Sequence, residues 1–106
     1  IFAERHEGRL ALRRGFTLGA SDRVLVIEDV LTTGGSTRET MEVARGAGAQ
    51  VVGAASIVDR SGGTSGFDVP FASLLDVTLP TYEPATCPLC AEGVPIVKPG
   101  SRPAVA

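Results

Sequence analysis

The sequence predicts an α/β fold in which helices flank a parallel sheet, and three observations predict it. Arg23-Val24-Leu25-Val26-Ile27 is a continuous aliphatic run. A small-residue loop and a stretch of helical periodicity follow it, and a second aliphatic run, Val51 to Val58, comes next. Strand, helix and strand within about 35 residues make a βαβ unit, whose crossover is right-handed and whose strands are parallel.

Each element can be justified in order. Ile1 to Arg5 and Arg9 to Phe16 read as two extended segments joined by a turn at His6-Glu7-Gly8. Leu10 and Leu12 alternate with Arg9, Ala11 and Arg13, a period of two. Gly19-Ala20-Ser21-Asp22 is a turn. The run Arg23 to Ile27, apolar on both faces, fits a central strand of a parallel sheet. A helix is expected from about Ser36 or Thr37 to Ala47, with Met41 and Ala44 on its apolar side. Glu39 stands three residues after Ser36, the spacing of a capping box. Gly46 and Gly48 end that helix. Asp59 to Gly66 is a polar loop, and Phe71 to Leu79 is a third strand. Residues 81–106 form a proline-rich tail of little periodicity, expected to pack over the domain or against a partner, beyond a core portion of residues 1–80.

Composition narrows the function classes. The chain has 106 residues, enough for one domain. Hydrophobic residues make up 43% and charged residues 21%, the balance of a globular chain. A net charge of −2 gives no electrostatic reason to expect a nucleic-acid partner. No apolar run approaches the roughly 20 residues of a membrane span. No secretory signal pattern is visible, so the cytoplasm is the expected location. The chain opens on Ile1-Phe2 without a Met, in what reads as a strand with nothing local to cover it. The expectation is that residues upstream are missing.

The chemistry concentrates in Val24 to Ser36. An apolar strand runs into two acids, Glu28 and Asp29, then Val30-Leu31, then the loop Thr32-Thr33-Gly34-Gly35-Ser36 ahead of a helix. Ligands of open α/β sheets bind at the carboxyl ends of strands. Backbone N–H groups of Thr33 to Ser36 can converge on a phosphate at the positive end of the helix dipole. The two glycines remove the Cβ that would block close approach, and the hydroxyls of Thr32, Thr33 and Ser36 can add hydrogen bonds. Glu28 and Asp29 offer four carboxylate oxygens, suited to a vicinal diol or to the water shell of a cation. Phosphate on one side and hydroxyls on the other describe a ribose 5-phosphate. A P-loop would need a Lys here, and a dinucleotide fold would need glycines where the acids stand.

This stretch resembles the phosphoribosyl-pyrophosphate signature of the type I phosphoribosyltransferases: four apolar residues, two acids, two apolar residues and a Thr/Gly/Ser loop of five. The resemblance implies that family's fold, with its amino-terminal half apparently absent from this chain. Thr32 stands where hypoxanthine-guanine members carry an Asp, and Gly35 where they carry a Lys. Val58-Asp59-Arg60-Ser61-Gly62-Gly63 resembles the Asp-Arg element of the orotate-specific members, in which Arg60 would meet the base through its guanidinium fork. Phe2 to Arg5, Leu12 to Phe16, Pro80-Thr81-Tyr82, Cys87 to Cys90 and Lys98-Pro99-Gly100-Ser101-Arg102 are also similar to the short-loop bacterial branch.

The resemblance implies transfer of a phosphoribosyl group from phosphoribosyl pyrophosphate to orotate, with Mg2+ on the pyrophosphate and a homodimer as the full-length assembly. Substrate binding would fall to Glu28, Asp29, Val30, Leu31, Thr32, Thr33, Gly34, Gly35, Ser36 and Arg60, with Glu28 and Asp29 as the catalytic pair. Adenine and xanthine members, a non-catalytic regulator and an inert fragment stand as alternatives. Glu4-Arg5-His6-Glu7-Gly8-Arg9 does not match the mobile catalytic loop of longer-loop members, so Arg5, His6 and Arg9 are assigned no role. Cys87 and Cys90 are half a zinc site, a redox pair or two reduced thiols, and no metal site is assigned to them.

Overall fold

The computed structural model describes residues 1–13 and 15–97. Arg14 and the Lys98 to Arg102 element lie outside the described residues.

The chain opens with a hairpin of β1 (Ala3–His6) and β2 (Arg9–Leu12), paired antiparallel with Ala3 opposite Leu12. The turn uses only Glu7 and Gly8, so His6 joins β1, and β2 ends at Leu12 because its last paired partner is Ala3. Glu7 and Gly8 both have positive φ, 49° and 85°, the conformation whose twist matches the strands of a two-residue hairpin. The predicted turn at Gly19 to Asp22 is present: Asp22 N–H donates to Gly19 O at 3.0 Å, and Gly19 N–H to Asp22 Oδ2 at 2.8 Å.

A three-stranded parallel sheet follows, ordered β3 (Arg23–Leu31), β4 (Gln50–Asp59), β5 (Phe71–Asp76). Two expectations are corrected here. β3 is an edge strand of this sheet and β4 is the central one. Nor does β3 stop at the acids: Val30 pairs with Val58 and Leu31 with Asp59, so Glu28 and Asp29 lie inside the strand. The full length of β4 provides partners for three residues beyond Ile27, namely Glu28, Val30 and Leu31.

The crossover helix, α1 (Gly35–Gly46), covers one face of the sheet. Met41 meets Val26 and Ala54 in the core, with Val24, Val51, Phe67, Val69 and Phe71 packed around them. Val51 and Ala54 face the same way because the register shifts between Val24 and Leu25, where β4 carries an extra residue. The capping box is absent. The residue before α1 is Gly34 at φ 82°, which offers no side chain, and Glu39 reaches away to the hairpin. The predicted stop is correct: Gly48, at φ 91°, donates to Arg45 O and Ala49 N–H donates to Ala44 O, a Schellman end.

Beyond β5 the expected packing of the tail over the domain does not occur among the described residues. From Thr78 to Val97 every residue except Cys87 and Cys90 is exposed. The single-turn helix α2 (Pro88–Ala91) has no buried residue. The radius of gyration, 16.8 Å, exceeds the roughly 13 Å of a compact chain of this length.

Candidate functional site

The strand-to-helix passage from β3 to α1 curls around a concavity of about 60 Å³ lined by Glu28, Val30, Leu31 and Thr32 to Thr37. Three features of the chain shape it. Arg38 N–H makes the first helical bond, to Gly34 O at 2.9 Å, so the Ser36 and Thr37 amides precede the helix's own ladder. The Gly35 N–H has only a long contact, 3.4 Å, to Thr33 Oγ1. No acidic side chain of α1 itself stands in its first turn, where the positive end of the helix dipole favours an anion.

Leu31 is fully buried and anchors the loop from below, while Thr32, Thr33, Gly35 and Ser36 are exposed. Arg38 braces the loop from the helix. Its guanidinium donates to Thr33 O at 3.1 Å and to Ser65 O, and lies 5.2 Å from the centre of the Phe67 ring. Sequence reasoning missed Arg38, because a lone Arg in a helix reads as a solvated charge. The one available signal was its place four residues after Gly34, one turn above the loop.

The two acids part company. Successive side chains of a strand point to opposite faces. Glu28 lies on the helix side, in the concavity, where its Oε2 accepts a hydrogen bond from Thr37 Oγ1 at 3.1 Å. Thr37 is 1% exposed, so this bond has little competition from water. Asp29 lies on the other face, exposed, and its Oδ1 accepts from the Val30 N–H at 2.7 Å. Ser56, paired with Glu28 in the register, is buried on the helix side, and its hydroxyl has no hydrogen-bond partner among the described residues.

Arg60 follows β4 directly. Its N–H donates to Leu31 O at 2.8 Å, which ties the loop after β4 to the end of β3. The Arg60 side chain is exposed and forms no ion pair with Asp59, whose Oδ1 instead accepts from Ser61 N–H at 2.7 Å. Thus Glu28, Val30, Leu31, the loop and Thr37 share one concavity, Arg60 stands beside it through its backbone, and Asp29 faces away. Arg5 is engaged with Glu39 and with Gly8 O.

A glycine loop between a parallel strand and a helix, with an acid beneath it, stands at a strand end, where open α/β sheets bind their ligands. The chain belongs to the phosphoribosyl transferase domain family, whose model matches residues 4–76. It is 62% identical to the orotate phosphoribosyltransferase of Carboxydothermus hydrogenoformans over 102 residues, 96% of this chain and 53% of that protein. It is 53% identical to the enzyme of that name from Caldanaerobacter subterraneus subsp. tengcongensis and 54% to that from Thermotoga maritima, each over 96% of this chain and 54% of the relative. The chain therefore spans about half the length of the curated relatives it matches. A solved structure, adenine phosphoribosyltransferase from Leishmania donovani, superposes over 56% of this chain and 30% of its own at 31% identity, with a TM-score of 0.47.

Proposed function

We propose that this chain carries the phosphoribosyl-pyrophosphate site of an orotate phosphoribosyltransferase, which joins orotate to that donor and releases orotidine 5′-phosphate and pyrophosphate. The observation that carries the proposal is the concavity between β3 and α1, where loop amides lie outside the helical ladder and Glu28 of β3 stands beneath them. The relatives' names support orotate over a purine base or a purely regulatory role.

In this reading the amides of Thr33 to Ser36 hold the 5-phosphate, with hydroxyls from Thr32, Thr33 and Ser36. Glu28, steadied by Thr37, accepts from a ribose hydroxyl and fixes the anomeric carbon. Asp29 serves the same sugar only if the strand end turns when substrate binds. Val30 and Leu31 set the loop's height, Leu31 by burial. Arg60 presents its fork to the carboxylate and carbonyls of orotate. Charge builds on an oxocarbenium-like sugar as pyrophosphate leaves, so catalysis is by positioning and electrostatics.

Mg2+ would neutralise the leaving pyrophosphate. Among the described residues no group of three or more His, Cys, Asp or Glu could hold a metal. We further propose a core portion at residues 1–80, a tail at 81–106, a homodimer, a cytoplasmic location and no nucleic-acid or membrane partner. No helix of the described residues is long and apolar enough to cross a membrane.

Kinetics of the protein in its complete natural form test this. Arg60→Ala should raise KM for orotate and leave that for phosphoribosyl pyrophosphate nearly unchanged. Glu28→Ala should cost roughly 2–3 kcal/mol in kcat/KM, the scale of a lost charged hydrogen bond. Equal losses for both substrates in the Arg60 variant, or a preference for adenine in the unaltered protein, would refute the orotate assignment.

A further inference from the structure

Cys87 and Cys90 take no part in the reaction above and stand apart from the residues of the concavity. Their local geometry is specific. Cys87 is extended, at φ −75° and ψ 119°, directly ahead of α2, and Pro88 fixes the next residue in helical conformation. One turn, closed by Ala91 N–H to Cys87 O and Glu92 N–H to Pro88 O at 3.1 Å each, brings the two cysteines to one side. In the exposed stretch from Thr78 to Val97 only these two residues are partly covered. The Cys87 sulfur accepts from the Cys90 N–H, the Cys90 thiol and the Leu89 N–H. Those bonds hold the Cys87 thiol below its usual range, and the bond Cys90 gives pushes its own thiol up.

We infer that Cys87 and Cys90 form a redox-active dithiol that closes to an intrachain disulfide against a small-molecule disulfide such as oxidised glutathione, with Cys87 as the attacking sulfur. The Cys87 thiolate attacks one sulfur of the oxidant. A mixed disulfide forms and one glutathione thiolate leaves. Cys90 gives its proton to solvent and attacks the Cys87 sulfur, expelling the second thiolate. The chain loses two protons and two electrons, and the oxidant is reduced to two thiols. The metal alternative needs ligands the chain does not bring: a tetrahedral zinc takes four, and no third His, Cys, Asp or Glu joins this pair among the described residues. Closure locks one turn and leaves residues 28–37 untouched.

The test uses this chain with a chelator and oxidised glutathione, read by intact mass. The expected product is a single chain lighter by two hydrogens, restored by dithiothreitol. Alkylation at neutral pH should run several-fold faster in Cys90→Ser, which keeps Cys87, than in Cys87→Ser, and urea should abolish the difference. Stable glutathione adducts on both sulfurs, or disulfide-linked dimers, would overturn the closure. Equal alkylation of the two folded variants would overturn Cys87 as the attacker. Zinc bound at one ion per two chains, tightly enough to block oxidation, would make the pair half of an intermolecular metal site instead.

Discussion

Gly34 carries the turn from strand to helix at φ 82°, and a Cβ there would stand 3.0 Å from Phe67 Cζ and 3.1 Å from Arg38 Nη1. Two costs therefore add in Gly34→Ala: left-handed strain of about 1–2 kcal/mol and displacement of the side chains that brace the loop. The variant should unfold at lower urea concentration and bind phosphoribosyl pyrophosphate at least ten-fold more weakly, as titration calorimetry would measure. Retained affinity would mean that the Arg38 and Phe67 brace is dispensable. At this scale the sequence was readable where backbone freedom follows from residue type, as in the loop glycines, of which Gly34 takes φ 82°. It was unreadable where a long side chain chooses among distant partners. Nothing local says that Arg38 reaches Ser65, or that Glu39 ignores the helix start for Arg5. The opposite orientations of Glu28 and Asp29 depend on β3 continuing past them, and that depends on the length of β4.

The hairpin and α1 are joined by one carboxylate. Glu39 Oε2 lies 2.5 Å from Arg5 Nη2, and its Oε1 accepts from the Leu10 N–H at 3.1 Å. The Arg5 hydrogen bond first, then the Leu10 amide, hold the Glu39 carboxyl below its usual range. A group whose folded pKa is depressed adds stability above its unfolded value and loses it as pH falls through the folded one. The tie should therefore be whole at neutral pH and be lost in acid, as the pH falls through the depressed pKa of Glu39. The Leu10 amide proton, followed by NMR, should move upfield over that range, and Glu39→Gln should abolish the transition. An unchanged titration in the variant would place the hairpin's anchor elsewhere. A second tie joins Arg45 to Asp68 at 2.8 Å, fastening the end of α1 to the loop before β5. The βαβ unit itself was legible because its aliphatic runs and its Gly48 stop are local signals, whereas the order of strands and the edge position of β3 are properties of the assembled sheet.

Among the described residues α1 covers one face of the sheet and the other face is bare. Strand alternation places Leu25 and Ile27 of β3, Ile57 of β4 and Leu74 of β5 on the side away from α1, with exposures of 56%, 61%, 53% and 86%. The chain's accessible surface is 7878 Å², against about 5,600 Å² for a compact monomer of this mass. Burying what those four side chains still expose is worth on the order of 5 kcal/mol, a patch of the kind that marks an interaction surface. The sequence anticipated this, since strands apolar on both faces need two layers and the chain holds one long helix. The 106-residue chain by itself should therefore associate, bind the dye ANS and release little or no pyrophosphate from phosphoribosyl pyrophosphate and orotate. Ile27→Lys combined with Leu74→Lys puts two charges on the bare face and none in the concavity. That double variant should shift sedimentation toward monomer and lower dye binding, with circular dichroism unchanged. A wild-type chain that sediments as a monomer at tens of micromolar, with no dye signal, would show that the bare face is covered in solution by residues the chain already has.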